Sequence, residues 1–133
     1  MVYALCMNTK DKPKNGNGYS LYRGVPVSKV QLRLAERLRV PEKYINFKVG
    51  PYYIDVALPR YRIAIEYNGW FWHDSADKKQ WCRTGYLLDK GWNIIIIKGR
   101  AEVPTMAILK QALYNARHGH RYQEVILSDW PRS

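Results

Sequence analysis

Between Tyr53 and Asp74 the chain reads YIDVALPRYRIAIEYNGWFWHD, and its polar residues are the ones equipped for chemistry. Asp55 and Glu66 are lone carboxylates inside two apolar, β-rich runs. Asn68, His73 and Asp74 follow directly. A carboxylate is costly to bury unless a cation pairs with it, and a divalent metal suits two of them. Hydrolysis of a phosphodiester needs activated water and neutralisation of charge on the phosphorane, and Mg²⁺ (or Mn²⁺) does both. In that chemistry Asp55 and Glu66 hold the metal, and His73 moves a proton or steadies the phosphate. Asn68 orients water or phosphate. Gln31, on an earlier helix, positions water.

Each residue also has a plainer reading. Asp55 could end a strand and pair with Arg62. His73 could be a satisfied hydrogen-bonding residue. Asp74, like Ser75, is a good helix N-cap. Asn68-Gly69 is a turn signal, and the Gln31 amide could cap a backbone group. The weight lies in the cluster rather than in any member.

The surrounding elements must bring these residues together. Ser28 caps a predicted helix over 29–39, ended by Pro41, with Val30, Leu34, Ala35 and Leu38 on one arc. Gln31 falls inside that arc, whereas Glu36 lies well away from it. Strands are predicted over 44–50, 51–58 and 61–68. A turn centred between Pro59 and Arg60 sets Asp55 opposite Ala64, with Glu66 a diagonal neighbour on the same face. A helix over 76–90 follows, with Trp81, Thr84, Leu87 and Leu88 inward and Gly91 closing it. WNIIIIK at 92–98 reads as a central strand buried on both faces. Pro104 opens a last helix over 104–118. The order is α-β-β-β-α-β-α, an α/β (α+β) mixed sheet flanked by helices.

With 133 residues the chain is one domain, 28–133, behind a basic flexible arm, 1–27. The net charge is +11. Ten Lys and Arg stand against three acids in residues 1–54, and twelve against eight in 55–133. That bias points to a polyanionic partner, most simply DNA. Lys10, Lys12 and Lys14 in the arm, Lys29 and Arg33 on the first helix, and Lys78 and Lys79 on the second are candidate phosphate contacts. Trp70, Phe71 and Trp72 could stack on or wedge between bases, or simply pack in the core. No apolar run is long enough for a membrane span, and no membrane partner is expected. Two cysteines are too few for a disulfide framework, which fits a cytoplasmic setting.

The run PRYRIAIEYNGWFWHD, followed by a helix and then Leu87, Gly91, Trp92 and Ile94 to Ile97, resembles the very-short-patch-repair endonucleases. It also resembles the wider PD-(D/E)XK superfamily, including the phage-type homing endonucleases called EDxHD. The likeness covers about residues 28–98. It implies a restriction-endonuclease-like core, a bacterial or phage setting and metal-dependent cleavage or nicking of DNA. By position it makes Asp55 and Glu66 the metal ligands, His73 a catalytic histidine, and His73-Asp74 the end of the EDxHD pattern. Three positions depart from the family: Gln31 stands where relatives have Glu, Asn68 where many have Lys, and Trp70 where the repair enzymes have a zinc-binding Cys. No structural zinc is therefore expected. Two other readings stay open, a junction-resolving nuclease acting as a homodimer and a non-catalytic DNA-binding module on a degenerate nuclease scaffold.

Overall fold

The computed structural model describes residues 19–22, 25–69 and 75–131. In chain order they form β1 (Tyr19–Tyr22), β2 (Val25–Ser28), α1 (Lys29–Arg37), β3 (Ile45–Val49), β4 (Tyr52–Leu58), β5 (Ile63–Gly69), α2 (Ser75–Asp89), β6 (Asn93–Gly99), α3 (Met106–Arg117) and β7 (Tyr122–Ile126). This is a mixed α/β fold. Strands β3 to β7 make one sheet in sequence order, antiparallel as far as β5 and parallel beyond it.

The predicted α-β-β-β-α-β-α order is present from α1 to α3, and three strands add to it. Residues 19–28, read from sequence mostly as arm, include β1 and β2 paired antiparallel, and Val27 is buried in the core. Strand β7 was not predicted. Its YQEVI carries polar residues, and its side chains alternate between exposed and half-buried because it is a sheet edge.

Four isoleucines explain the layering. Ile94 to Ile97 are all buried, so β6 is covered on both faces. Ile95 and Ile97 join Val56, Ile63 and Ile65 under α1 and α3, through Leu34, Ala35, Leu109, Ala112 and Ala116. Ile94 and Ile96 join Ala57, Ala64 and Trp92 under α2, through Leu87.

Helix α1 begins where Ser28 predicts, with Ser28 and Gln31 forming a capping box. It stops at Arg37, earlier than predicted, because Arg39 turns left-handed at φ 55 before Pro41. Thr105, not Pro104, caps α3. Trp81, expected inward on α2, is 62% exposed. At about 100° per residue it stands roughly 120° round the helix from Leu87, whereas Thr84 stands within about 60°. Of the four residues predicted inward, Thr84 and Leu87 are buried, and Cys82 is buried as well.

Candidate active site

The β4–β5 connection is longer than the two-residue turn predicted. A 3₁₀ turn, Pro59–Tyr61, is followed by Arg62 in the left-handed region at φ 54. Val56 therefore opposes Ile65 and Ala57 opposes Ala64. The register moves by two residues, which preserves the face and brings Asp55 opposite Glu66 rather than diagonal to it. The regular ladder ends at Val56–Ile65. Beyond it, Asp55 Oδ2 accepts the Tyr67 backbone N–H at 2.9 Å. A side chain has taken the place of a ladder carbonyl at the point where the two carboxylates meet.

The opposite flank of Asp55 is also irregular. Ile45 and Val56 face the α1–α3 core, whereas Phe47 and Ile54, two residues on, face the α2 core. Asn46, at φ 52, sits where the alternation turns over. Gln31 clamps this joint. Its Nε2 donates to Asn46 Oδ1 at 2.7 Å and to the Asp55 carbonyl at 3.0 Å. Its Oε1 accepts the Ser28 N–H at 3.4 Å. Gln31 is buried, as predicted, but its amide is used by β3, β4 and its own helix start. The capping alternative describes it better than the positioning of water.

Glu66 is 1% exposed on the α2 face of β5. Among the described residues, neither of its carboxylate oxygens has a hydrogen-bond donor. Arg83, on α2, brings Nη1 to 3.9 Å from Oε2, at the outer limit of an ion pair. Burial pushes the Glu66 carboxyl well above the usual carboxylate range, and the neighbouring Asp55 charge adds to the rise. Burial also raises Asp55, against the lowering effect of the Tyr67 N–H and Arg83. Without a further cation, a proton on Glu66 lets it donate to Asp55, and the pair titrates as a unit. Arg62, the cation considered for Asp55, instead lies over the Trp92 ring at 5.7 Å. Arg83 carried no signal in the sequence. Only the helical register of α2 over β5 brings it to Glu66.

Comparison of the chain with protein-family models, with curated proteins and with solved structures gives no match. The site rests on its own geometry.

Asn68 follows Glu66 on the same strand face and is half-buried opposite Lys98 of β6. The Lys98 ammonium is bound 2.9 Å from Glu124. Lys29 and Arg33 are exposed on α1, which packs on the other face of the sheet from Glu66. Lys78 and Lys79 lie within α2, but their side chains are outside the described set. Trp70, Phe71, Trp72, His73 and Asp74, and the arm lysines Lys10, Lys12 and Lys14, lie outside the described residues. Among the described residues, no third His, Cys, Asp or Glu joins Asp55 and Glu66. A buried carboxylate with both oxygens short of donors among the described residues, beside a half-buried one, fits a hard divalent cation that keeps most of its own water.

Proposed function

We propose that this protein is a metal-dependent DNA endonuclease whose site is the Asp55–Glu66 pair on a PD-(D/E)XK-like core. The observation that supports it most is the Glu66 carboxylate, buried under α2 with no donor to either oxygen among the described residues and with the Asp55 carboxylate beside it. A structural glutamate would be expected to have such donors. Glu66 and Asp55 would hold Mg²⁺ or Mn²⁺, which supplies charge neutralisation and water of lowered pKa. The Tyr67 N–H fixes the Asp55 carboxylate, and the Gln31 clamp fixes the Asp55 backbone. Arg83 offsets negative charge beside Glu66, and a guanidinium there would do the same for a phosphate. The net charge of +11 suits a DNA substrate.

The test is supercoiled plasmid incubated with the protein in Mg²⁺, Mn²⁺ or EDTA. Relaxed or linear product is expected with either metal, none in EDTA, and none from Asp55→Ala or Glu66→Gln. Cleavage unchanged in both variants would remove the pair from catalysis. One observation favours a second reading, a DNA-binding module without activity: Arg83 already offers Glu66 a cation. Plasmid binding without cleavage in any metal would select it.

A further inference from the structure

We propose that the end of the sheet where β5 and β6 begin is a docking surface for a nucleic-acid backbone, separate from the carboxylate pair. Three connections converge there: the β4–β5 turn with Arg62, the link from α2 to β6, and the link from α3 to β7. With the helix-end residues Asp89 and Arg117 they carry five cations, Arg60, Arg62, Lys90, Arg117 and Arg121, against that one acid. All five are exposed, and among the described residues none is paired with a carboxylate. They come from separate stretches of chain, so no run of charge announces them in the sequence.

Asn93 ties the three connections together. Its backbone N–H donates to the Arg62 carbonyl at 2.7 Å. Its side-chain amide donates to the Ala116 carbonyl at 3.1 Å, and its Oδ1 accepts from Arg121 Nε at 2.9 Å. Arg121 also donates to the Leu88 and Trp92 carbonyls, at 2.6 and 3.1 Å. Arg121 therefore spends donors on the protein, and Arg62 lies over Trp92; these two add charge. The other three are the contacts. Arg60 and Arg117 lie over the Tyr61 ring at 5.8 and 4.6 Å, and Lys90 over the Tyr86 ring at 5.5 Å. A ring face steadies a cation without neutralising it and gives its N–H groups no oxygen to bind. Cations held in place and left unneutralised favour an anion, and a guanidinium favours phosphate.

The width of the surface specifies a chain of phosphates. From the β4–β5 turn to the start of β7 the sheet takes three inter-strand steps, roughly 14 Å. That exceeds one phosphate group. Glu66 lies further along β5, roughly 10 Å from Ile63 at this end. A phosphate docked here is therefore not one held at the carboxylates. None of the phosphate contacts predicted from the sequence belongs to this surface. Its assignment to nucleic acid rests on the same net charge as the proposed function, and not on catalysis.

The test is fluorescence anisotropy of a labelled oligonucleotide, single-stranded or duplex, titrated with the full chain in EDTA, where metal-dependent cleavage cannot contribute. The double variant Arg60→Gln/Arg117→Gln should weaken binding at least about tenfold and flatten the slope of log affinity against log salt by about two units. Lys90→Gln should flatten it by about one unit, and remains informative should the double variant fail to fold. Lys110→Gln is the charge-matched control. Lys110 is exposed on the same face of α3 as Arg117, two turns earlier and roughly 10 Å away, and its loss should leave the slope unchanged. Whichever oligonucleotide loses affinity in the variants is the form that docks. The parent's slope in both the double variant and Lys90→Gln would overturn the proposal. So would a loss in Lys110→Gln as large as that in Lys90→Gln, or displacement of the label by poly-glutamate as readily as by unlabelled DNA. Plasmid cleavage is read separately, so catalysis can fail with this surface intact, and the reverse.

Discussion

Glu66 makes stability depend on pH in a direction opposite to that of most carboxylates. Folding raises its pKa above the ordinary 4.5, so the folded state keeps a proton that the unfolded chain has released. The stability tied to that proton is present in full below about pH 4.5 and is lost as pH rises through the folded value. Asp55 is raised too and adds in the same sense. Metal-free protein is therefore expected to melt at lower temperature as pH climbs from 4.5 towards neutrality, and Glu66→Gln should flatten that slope. Magnesium should reverse the loss in the unmodified chain, by about 2.7 kcal/mol at a hundred times its Kd, and do nothing for Glu66→Gln. Parallel melting curves for the two proteins, with and without magnesium, would contradict the assignment. Arg83 supplies a second expectation at this scale. A cation 3.9 Å from Glu66 competes with a metal, so Arg83→Gln should tighten Mg²⁺ binding, on the order of tenfold by calorimetry. Unchanged affinity would place Arg83 outside the site.

Helix α1 and strands β3, β4 and β5 set the geometry that these residues share, and Gln31 is where they are joined. A Glu at position 31 would match the nucleases that the sequence resembles, and by sequence alone that exchange should strengthen the proposed metal site. The structure reverses the expectation. Gln31 Nε2 donates to two oxygens, and a carboxylate there would face both as acceptor against acceptor. Gln31→Glu should cost about 1–3 kcal/mol, read as a lower midpoint in urea. Glu36→Gln, on the exposed side of α1, should leave that midpoint unchanged. The contrast shows what the sequence could carry. Periodicity was enough to turn Gln31 inward and to put Asp55 and Glu66 on one face, because helix and strand periods survive small errors in register. It could not supply the left-handed Asn46 and Arg62, which break the alternation and lengthen the turn. Nor could it supply Arg83, whose meeting with Glu66 depends on how a helix lies across a sheet. Trp81 failed for a related reason, since hydrophobicity says a residue can be buried and not that it is.

For the whole molecule the dominant quantity is charge. A net +11 on 133 residues should make DNA binding strongly dependent on salt. The logarithm of the affinity should fall against log salt with a slope of about −0.9 for each phosphate contacted, and a slope of about −4 or steeper is expected. Removing residues 1–18 takes away Lys10, Lys12 and Lys14 and should flatten it by about one unit per lost contact. A slope near zero for the full chain would exclude nucleic acid as the partner. The sheet itself carries a consequence for the order of assembly. Its antiparallel part, β3 to β5, joins chain neighbours through short turns, whereas its parallel part must wait for α2 and α3 to cross over. Local pairing closes small loops and forms first. Asp55 and Glu66 would then meet while still hydrated, and lose their water only when α2 docks with Arg83. Refolding followed by stopped-flow fluorescence should accordingly show a late phase that slows between pH 5 and pH 8 and recovers in magnesium, after an early phase indifferent to both.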